Sequence, residues 1–237
     1  MADGQAPALP RGPVEHAVVQ GTREWIDARC GLLTASELSL ILTPSLKIAT
    51  NDKERSHVYE IAAQRITQFV EPHYMSDAMV RGQWDEGEAR ALYREHYAPV
   101  REVGFITNDR WGFTFGYSPD GLVGDDGLIE CKSAMQKHHM RTIVEKIAEN
   151  AAPDEHIIQV QAGLLVSERK WCDFVSYCGG LPMTTVRVWP DEKVQAAIIE
   201  AGRAFEDRVA HVIARYRATI EQARAIPTDR IEREMHL

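Results

Sequence analysis

No run of apolar residues in the 237-residue chain approaches the roughly 18 that a membrane span requires, so a membrane is not an expected partner. The first fifteen residues, MADGQAPALPRGPVE, lack the basic start and apolar core of a secretory signal. Their proline and glycine content predicts a flexible tail over 1–15. Cysteine is scarce. Cys30, Cys131, Cys172 and Cys178 form no C-x-x-C and match no common zinc or iron–sulfur spacing, which predicts four reduced thiols in a cytosolic protein. Positive charge is in deficit, 27 Lys and Arg against 35 Asp and Glu, net −8. That argues against a surface coated in phosphate-binding charge, so a nucleic-acid ligand would need a local basic groove. Repeats and low-complexity blocks are missing too, which argues against solenoid and fibrous classes.

What is present is an ordinary globular composition. A hydrophobic fraction of 44% is enough for a real core, and the length predicts one domain over 16–237. Helical spacing marks Arg23–Arg29, stopped by Gly31. A second run opens at Thr34 and Ser36, with Thr34 and Glu37 spaced as a capping box. Asp52–Val70 follows, with Val58, Ile61, Ala62, Ile66 and Phe69 on one face. On Met79–Tyr97, Glu86, Ala89, Tyr93 and Tyr97 share an inward stripe. EVGFIT, WGFTFGY, GLIECKS, WCDFVSYC and TTVRVW read as strands. Helical stretches at Met140–Glu149 and His156–Val166 and a long amphipathic helix over Asp191–Ala225 complete the chain. This order predicts an α/β fold, a central mixed β-sheet flanked by helices.

The segment richest in chemistry is Ser118-Pro119-Asp120-Gly121-Leu122, followed by Leu128-Ile129-Glu130-Cys131-Lys132. Glu130 and Lys132 are two apart on a strand and project from one face. A hairpin would return Asp120 to Glu130. Two hard carboxylates beside an ammonium suit Mg²⁺ and phosphodiester hydrolysis, in which the metal offsets phosphate charge and acidifies water and the lysine stabilises developing charge. Taken alone, Pro-Asp-Gly is an ordinary turn and Glu-x-Lys an ordinary surface pair. Glu86, a third acid on an inward helix face, turns the pair into a constellation.

Ser-Pro-Asp-Gly followed by Glu-Cys-Lys resembles the PD-(D/E)XK nuclease signature. GLLTASE, Gly82 with Glu86, SPDGL, ECK and QVQ stand in the order seen in lambda-type phage exonucleases, the YqaJ-like viral recombinase family. The similarity runs from about Gln20 to Val166. It implies a restriction-endonuclease-like core, bound Mg²⁺ with Mn²⁺ as a substitute, and 5′→3′ degradation of one strand of linear double-stranded DNA to mononucleotides. The 3′ single strand left behind would pass to a single-strand annealing protein. The resemblance further implies a homotrimeric ring around DNA, encoded by a phage or prophage and acting in the cytoplasm of a bacterial host. By residue, it implies Asp120, Glu130, Glu86 and the Cys131 carbonyl at the metal, Lys132 at the attacking water and Gln159 lining the same site. Arg29 and Ser36 match a pocket for the DNA 5′-phosphate, to which Thr34 is a candidate contributor. An arginine fork and hydroxyls at a helix start suit a terminal phosphate, although capping and solvation would explain the same residues. Met79 matches an apolar wedge that parts the strands, and Trp25 an aromatic near the DNA path; each is also a reasonable core residue.

Some positions depart from the family pattern. Gln161, two residues past Gln159 on a helix, points elsewhere and is expected to pack. Gln136, Lys137, His138, His139 and Arg141 have no counterparts. Adjacent histidines rarely ligate one ion, so His138 and His139 are expected in a polar loop, while Lys137, Arg141 and Lys146 are candidates for a DNA groove. His156 replaces a family aromatic. Two other functions stay open: an endonuclease or repair nuclease of the same superfamily, and a catalytically silent DNA-end-binding recombination scaffold. The intact Asp120, Glu130 and Lys132 argue against the scaffold.

Overall fold

The computed structural model describes residues 12–72 and 76–230. Most of the tail expected over 1–15 lies outside these residues, but Val14 and Glu15 do not belong to a loose tail. Val14–His16 forms β1, an edge strand antiparallel to β3 (Phe105–Asn108). The remaining strands are β2 (Leu33–Thr34), β4 (Phe115–Tyr117), β5 (Gly121–Val123), β6 (Gly127–Ser133), β7 (Trp171–Tyr177) and β8 (Thr184–Val188). The central sheet divides into two four-stranded mixed sheets, ordered β1-β3-β4-β2 and β5-β6-β7-β8. The break falls at Ser118-Pro119-Asp120 between β4 and β5, where proline has no N–H to offer a ladder.

The helices are α1 (Arg23–Arg29), α2 (Leu38–Ile41), α3 (Asp52–Thr67), α4 (Asp77–His96), α5 (Gln136–Glu145), α6 (Asp154–Ser167) and α7 (Glu192–Gln222). Their starts follow local chemistry. Asn51 Oδ1 accepts the N–H of Lys53 and Glu54, Ser76 Oγ that of Met79, and Asp191 Oδ1 that of Lys193 and Val194. Helix α3 ends at Thr67, short of Val70, because Gln68 is left-handed at φ 53°. Helix α5 begins at Gln136 rather than Met140, so Gln136-Lys137-His138-His139 is a helical turn and not a loop. Gly31, at φ 72°, ends the loop after α1; a side chain there would strike the Arg65 stem at 2.8 Å.

Strands β6 and β7 are parallel over seven residue pairs and joined by the α5–α6 crossover. Helix α6 buries Ile158, Val160, Ala162, Leu164 and Val166 against β3, β4 and α7. Such side chains contribute about 1.5–3 kcal/mol each when fully buried. Phe205 and Ile198 of α7 close the same core. Cys131, Cys172 and Cys178 are buried and Cys30 is half-buried, all as free thiols. Among the described residues no helix is long and apolar enough to cross a membrane.

Candidate active site

The β5–β6 hairpin pairs Gly121 with Ile129, so Asp120 and Glu130 stand at the next rung. Asp120 Oδ2 accepts the Cys131 N–H at 2.6 Å, which locks the turn residue onto the strand. Strand periodicity sends Glu130 and Lys132 to the same side, and Lys132 Nζ lies 2.7 Å from Glu130 Oε1. From α6, Gln159 donates to Glu130 Oε1 at 2.5 Å. From β4, Tyr117 donates its hydroxyl to Glu130 Oε2 at 2.8 Å. Glu86 reaches the same cleft from α4.

The cleft holds about 600 Å³. Glu86, Asp120, Glu130, Lys132 and Gln159 line it, as do Arg29, Ser36 and Trp25, and Met79 lines it from the helix that carries Glu86. Thr34 is buried beneath, in contact with Arg29. A second groove of about 590 Å³, between α3 and α7, has apolar walls of Tyr59, Ile66, Val212 and Ile220 and no carboxylate. The polar cleft is therefore the candidate for chemistry.

Charge at the acidic end is unbalanced. Burial raises Asp120 well above the ordinary carboxylate range, and the charges of Glu130 and Glu86 raise it further. Glu86 is raised by burial, with Glu130 adding and Lys132 opposing. Burial pulls the Lys132 ammonium down, but Glu130 and Asp120 outweigh it, and its pKa ends above the usual lysine value. Lys132 is thus held as a donor. Three carboxyl groups lie in the cleft with Lys132 and, at its wall, Arg90, which also acts on Glu86, and the raised Asp120 and Glu86 show that acids crowd this end.

Among the described residues no three His, Cys, Asp or Glu side chains are grouped as a metal site. Glu86 lines the same cleft as Asp120 and Glu130 and acts electrostatically on Asp120. The hard donors at hand are Asp120, Glu130 and Glu86, with a backbone carbonyl beside them. Mg²⁺ commonly binds through one or two carboxylates and keeps several waters, so the hard oxygens present suit it.

The cationic end is built on α1. Arg29 Nη1 donates to Ser118 Oγ at 3.1 Å, and Nη2 to Thr34 Oγ1 at 3.2 Å and Ser36 Oγ at 3.4 Å. Its guanidinium lies 4.4 Å over the Trp25 ring, and Trp25 Nε1 donates to Ser118 Oγ at 2.9 Å. Trp25 is therefore a wall of the cleft and not a core residue. Among the described residues Arg29 forms no ion pair, whereas Arg65, Arg90, Arg101 and Arg187 each bond a carboxylate. Burial lowers its pKa, with Glu37 opposing. A largely desolvated guanidinium held among hydroxyls, with Glu37 acting on it only from behind Thr34, has the chemistry to receive an anion.

Other candidates fall elsewhere. Met79 is half-exposed at the cleft, a position open to a wedge. Gln161 is buried, and clamps the Trp189 carbonyl and the Asp191 N–H at 2.8 Å each, as expected of a packing residue. His139 is fully buried, bonded to Ser176 Oγ at 2.8 Å and the Pro182 carbonyl at 2.9 Å, so it faces neither solvent nor phosphate. Arg141 pairs with Glu145 and Lys146 with Asp154, which reduces their value as a DNA groove. His138 is exposed beside them. His156 stacks on Phe174 at 5.4 Å, and burial and Lys132 lower its pKa.

Sequence reasoning missed Tyr117 and Ser118. Tyr117 had a signal: strand alternation puts it on the face of Phe115, immediately before Ser118-Pro119-Asp120. Its ring passes over Gly163 of α6, where an added Cβ would come 2.7 Å from Tyr117 Cζ. Ser118 had no signal beyond its place in the motif.

Residues 24–170 match the YqaJ-like viral recombinase domain. The chain belongs to this family. Among solved structures, an alkaline exonuclease (LHK-Exo) from Laribacter hongkongensis is 32% identical with a TM-score of 0.73, over 85% of this chain and 99% of that one. LHK-Exo in complex with dAMP gives 34% identity and a TM-score of 0.74, over 85% and 100%. A phage related exonuclease from Haemophilus somnus 129PT shares the fold at 15% identity, with a TM-score of 0.58 over 78% of this chain and 96% of that one. No curated protein sequence matches. The fold of this family member is that of the alkaline exonucleases, and their relationship places the chain among nucleases.

Proposed function

We propose that the protein is a Mg²⁺-dependent 5′→3′ exonuclease of the PD-(D/E)XK type. It would degrade one strand of linear double-stranded DNA to mononucleotides and leave a 3′ overhang. The observation that carries this reading is the pairing, in one cleft, of an acidic cluster with an arginine that has no carboxylate partner. One end suits the scissile phosphate, the other a terminal phosphate. The relationship to alkaline exonucleases supports the chemistry.

Asp120, Glu130, the Cys131 carbonyl and Glu86 would hold Mg²⁺, which when bound offsets phosphate charge and lowers the pKa of water. Lys132, kept as an ammonium, would orient the attacking water and stabilise charge on the phosphoryl oxygens. Gln159 and Tyr117 hold the Glu130 carboxylate in place. Arg29 and Ser36 would seat the 5′-phosphate, and Met79 would press against the terminal base pair. The homotrimeric ring, the single-strand annealing partner and a phage or prophage origin in a bacterial cytoplasm belong to the same proposal and rest on family resemblance.

The test is digestion of a linear duplex, labelled at either end of one strand and carrying a 5′ phosphate or a 5′ hydroxyl, in Mg²⁺ and in EDTA. Metal-dependent mononucleotide release from the phosphorylated 5′ end is expected. Internal fragments would indicate an endonuclease instead. Binding without cleavage in Mg²⁺ or Mn²⁺ would indicate an end-binding scaffold.

A further inference from the structure

Behind the cationic end lies a carboxylate that the phosphate-pocket reading does not use. Glu37 Oε2 accepts the Thr34 hydroxyl at 2.7 Å and the Thr34 N–H at 3.1 Å. A hydroxyl has one proton to give. With that proton committed to a carboxylate, Thr34 Oγ1 offers only lone pairs to its other neighbours. Those neighbours are Arg29 Nη2 at 3.2 Å and Ser36 Oγ at 3.2 Å. Thr34 therefore accepts from the guanidinium and has no proton left for a ligand. Ser36, on the cleft wall, keeps a proton that it can turn toward a phosphate.

On the far side, His57 Nε2 faces the same Glu37 oxygen from 3.9 Å. That histidine is 2% exposed and stacked on Phe205 at 5.2 Å. Its Nε2 has no hydrogen-bond partner, and its Nδ1 lies 3.1 Å from Glu60. Glu37 thus sits between a rigid core element and the pocket, near enough to Arg29 to raise its pKa against the effect of burial.

We propose that Glu37 is a positioning residue of the end-phosphate pocket: it fixes the direction of the Thr34 hydroxyl, which orients the Arg29 fork and leaves Ser36 as the phosphate's hydroxyl donor. The inference rests on the 5′-phosphate reading of Arg29 and Ser36. It assigns a specificity role to an acid, which as a bare charge near a dianion would do the opposite and weaken phosphate binding.

This opposition of sign makes the test. The full-length protein and its Glu37→Ala, Glu37→Gln, Thr34→Val, Thr34→Ser and Arg29→Ala variants are compared on duplexes with a 5′ phosphate or a 5′ hydroxyl. The readout is the phosphate-over-hydroxyl ratio of kcat/KM, split into its two terms, with a parallel ratio of end-binding affinities in EDTA. Glu37→Ala and Thr34→Val should lower both ratios by roughly fivefold or more, mainly through KM and affinity. Glu37→Gln keeps an acceptor oxygen, Thr34→Ser keeps the hydroxyl, and each should hold the ratio within about twofold. A ratio that stays level or rises in Glu37→Ala and stays level in Thr34→Val overturns the proposal. Thr34→Val, close to isosteric, decides the matter if Glu37→Ala does not fold. If Arg29→Ala leaves the ratio untouched, the phosphate pocket itself is wrong; if Arg29→Ala lowers it and the Glu37 and Thr34 variants do not, only the positioning role fails.

Discussion

At one end of the cleft three carboxyl groups gather beside Lys132, which pairs with Glu130; at the other, one guanidinium is set among hydroxyls and an indole ring and, among the described residues, bonds no carboxylate. Both arrangements cost stability in the free protein, because a buried charge without a counterion is expensive. Elsewhere the chain pairs its charges: Arg65 with Glu206, Arg187 with Asp173, Arg101 with Glu15. The two ends of the cleft depart from that habit in opposite directions. Under the proposed function each end would take what it lacks, a cation at one and an anion at the other. A net charge of −8 therefore says little about DNA, since affinity needs only one well-placed patch.

The largest break in this comparison should come from Lys132→Ala, which removes the cation paired with Glu130. Single-turnover cleavage should fall by about 1,000-fold while duplex binding, read by fluorescence anisotropy, persists. Cleavage close to wild type would remove Lys132 from the chemistry. Next is Arg29→Ala at the other end. The advantage of 5′-phosphorylated over hydroxyl ends should shrink by about tenfold or more, measured as a ratio of kcat/KM values. An unchanged ratio would mean that the guanidinium receives no phosphate.

Tyr117→Phe sharpens the acidic end without altering its charge. Loss of one donor to Glu130 should lower kcat by roughly fivefold. Gly163→Ala should reproduce part of that loss by pushing the Tyr117 ring. If kcat holds in Tyr117→Phe, Glu130 does not depend on the phenol.

The smallest effect is on stability. Glu86 and Asp120 have pKa values raised by burial in the folded protein. The folded state then binds more protons than the unfolded state between the ordinary carboxylate range and the raised values, so stability should increase as pH falls through that window. In EDTA, Glu86→Gln should raise the melting temperature at neutral pH by about 2–4 °C, and mild acidification should stabilise wild type more than this variant. A lower melting temperature in Glu86→Gln would show that the carboxylate is not strained.

These ends were not equally legible in the sequence. The acidic end is local: Asp120, Glu130 and Lys132 lie on one hairpin, and strand periodicity is enough to converge them. Glu86 followed from its helical stripe. The cationic end joins α1, β2 and the segment after β4, and only family resemblance linked Arg29 to Ser36. Ser118 was legible only as part of its motif and Tyr117 only as a residue on the Phe115 face of its strand, because their partners, Arg29 and Glu130, are set by tertiary contacts. Glu37 was read as a helix cap, which it is, and the capping geometry hid its second role. His139 shows the reverse error. It looked polar by neighbourhood, yet Ser176 and Pro182, about forty residues away in sequence, bury it. The split of the sheet falls at Ser118-Pro119-Asp120, and strand patterning does not say which strands pair on either side of it.

Ser118 receives Trp25 and Arg29, and Asp120, two positions on, is pinned to β6. Residues that serve the two ends of the cleft are thus two positions apart in the chain, their Cα atoms at most about 7 Å from each other, with a proline stiffening the span. Under the proposed function such a seam would work as a gauge: with a strand end seated against Arg29 and the cut made beside Asp120, one short stretch of protein backbone would carry both the stop and the blade.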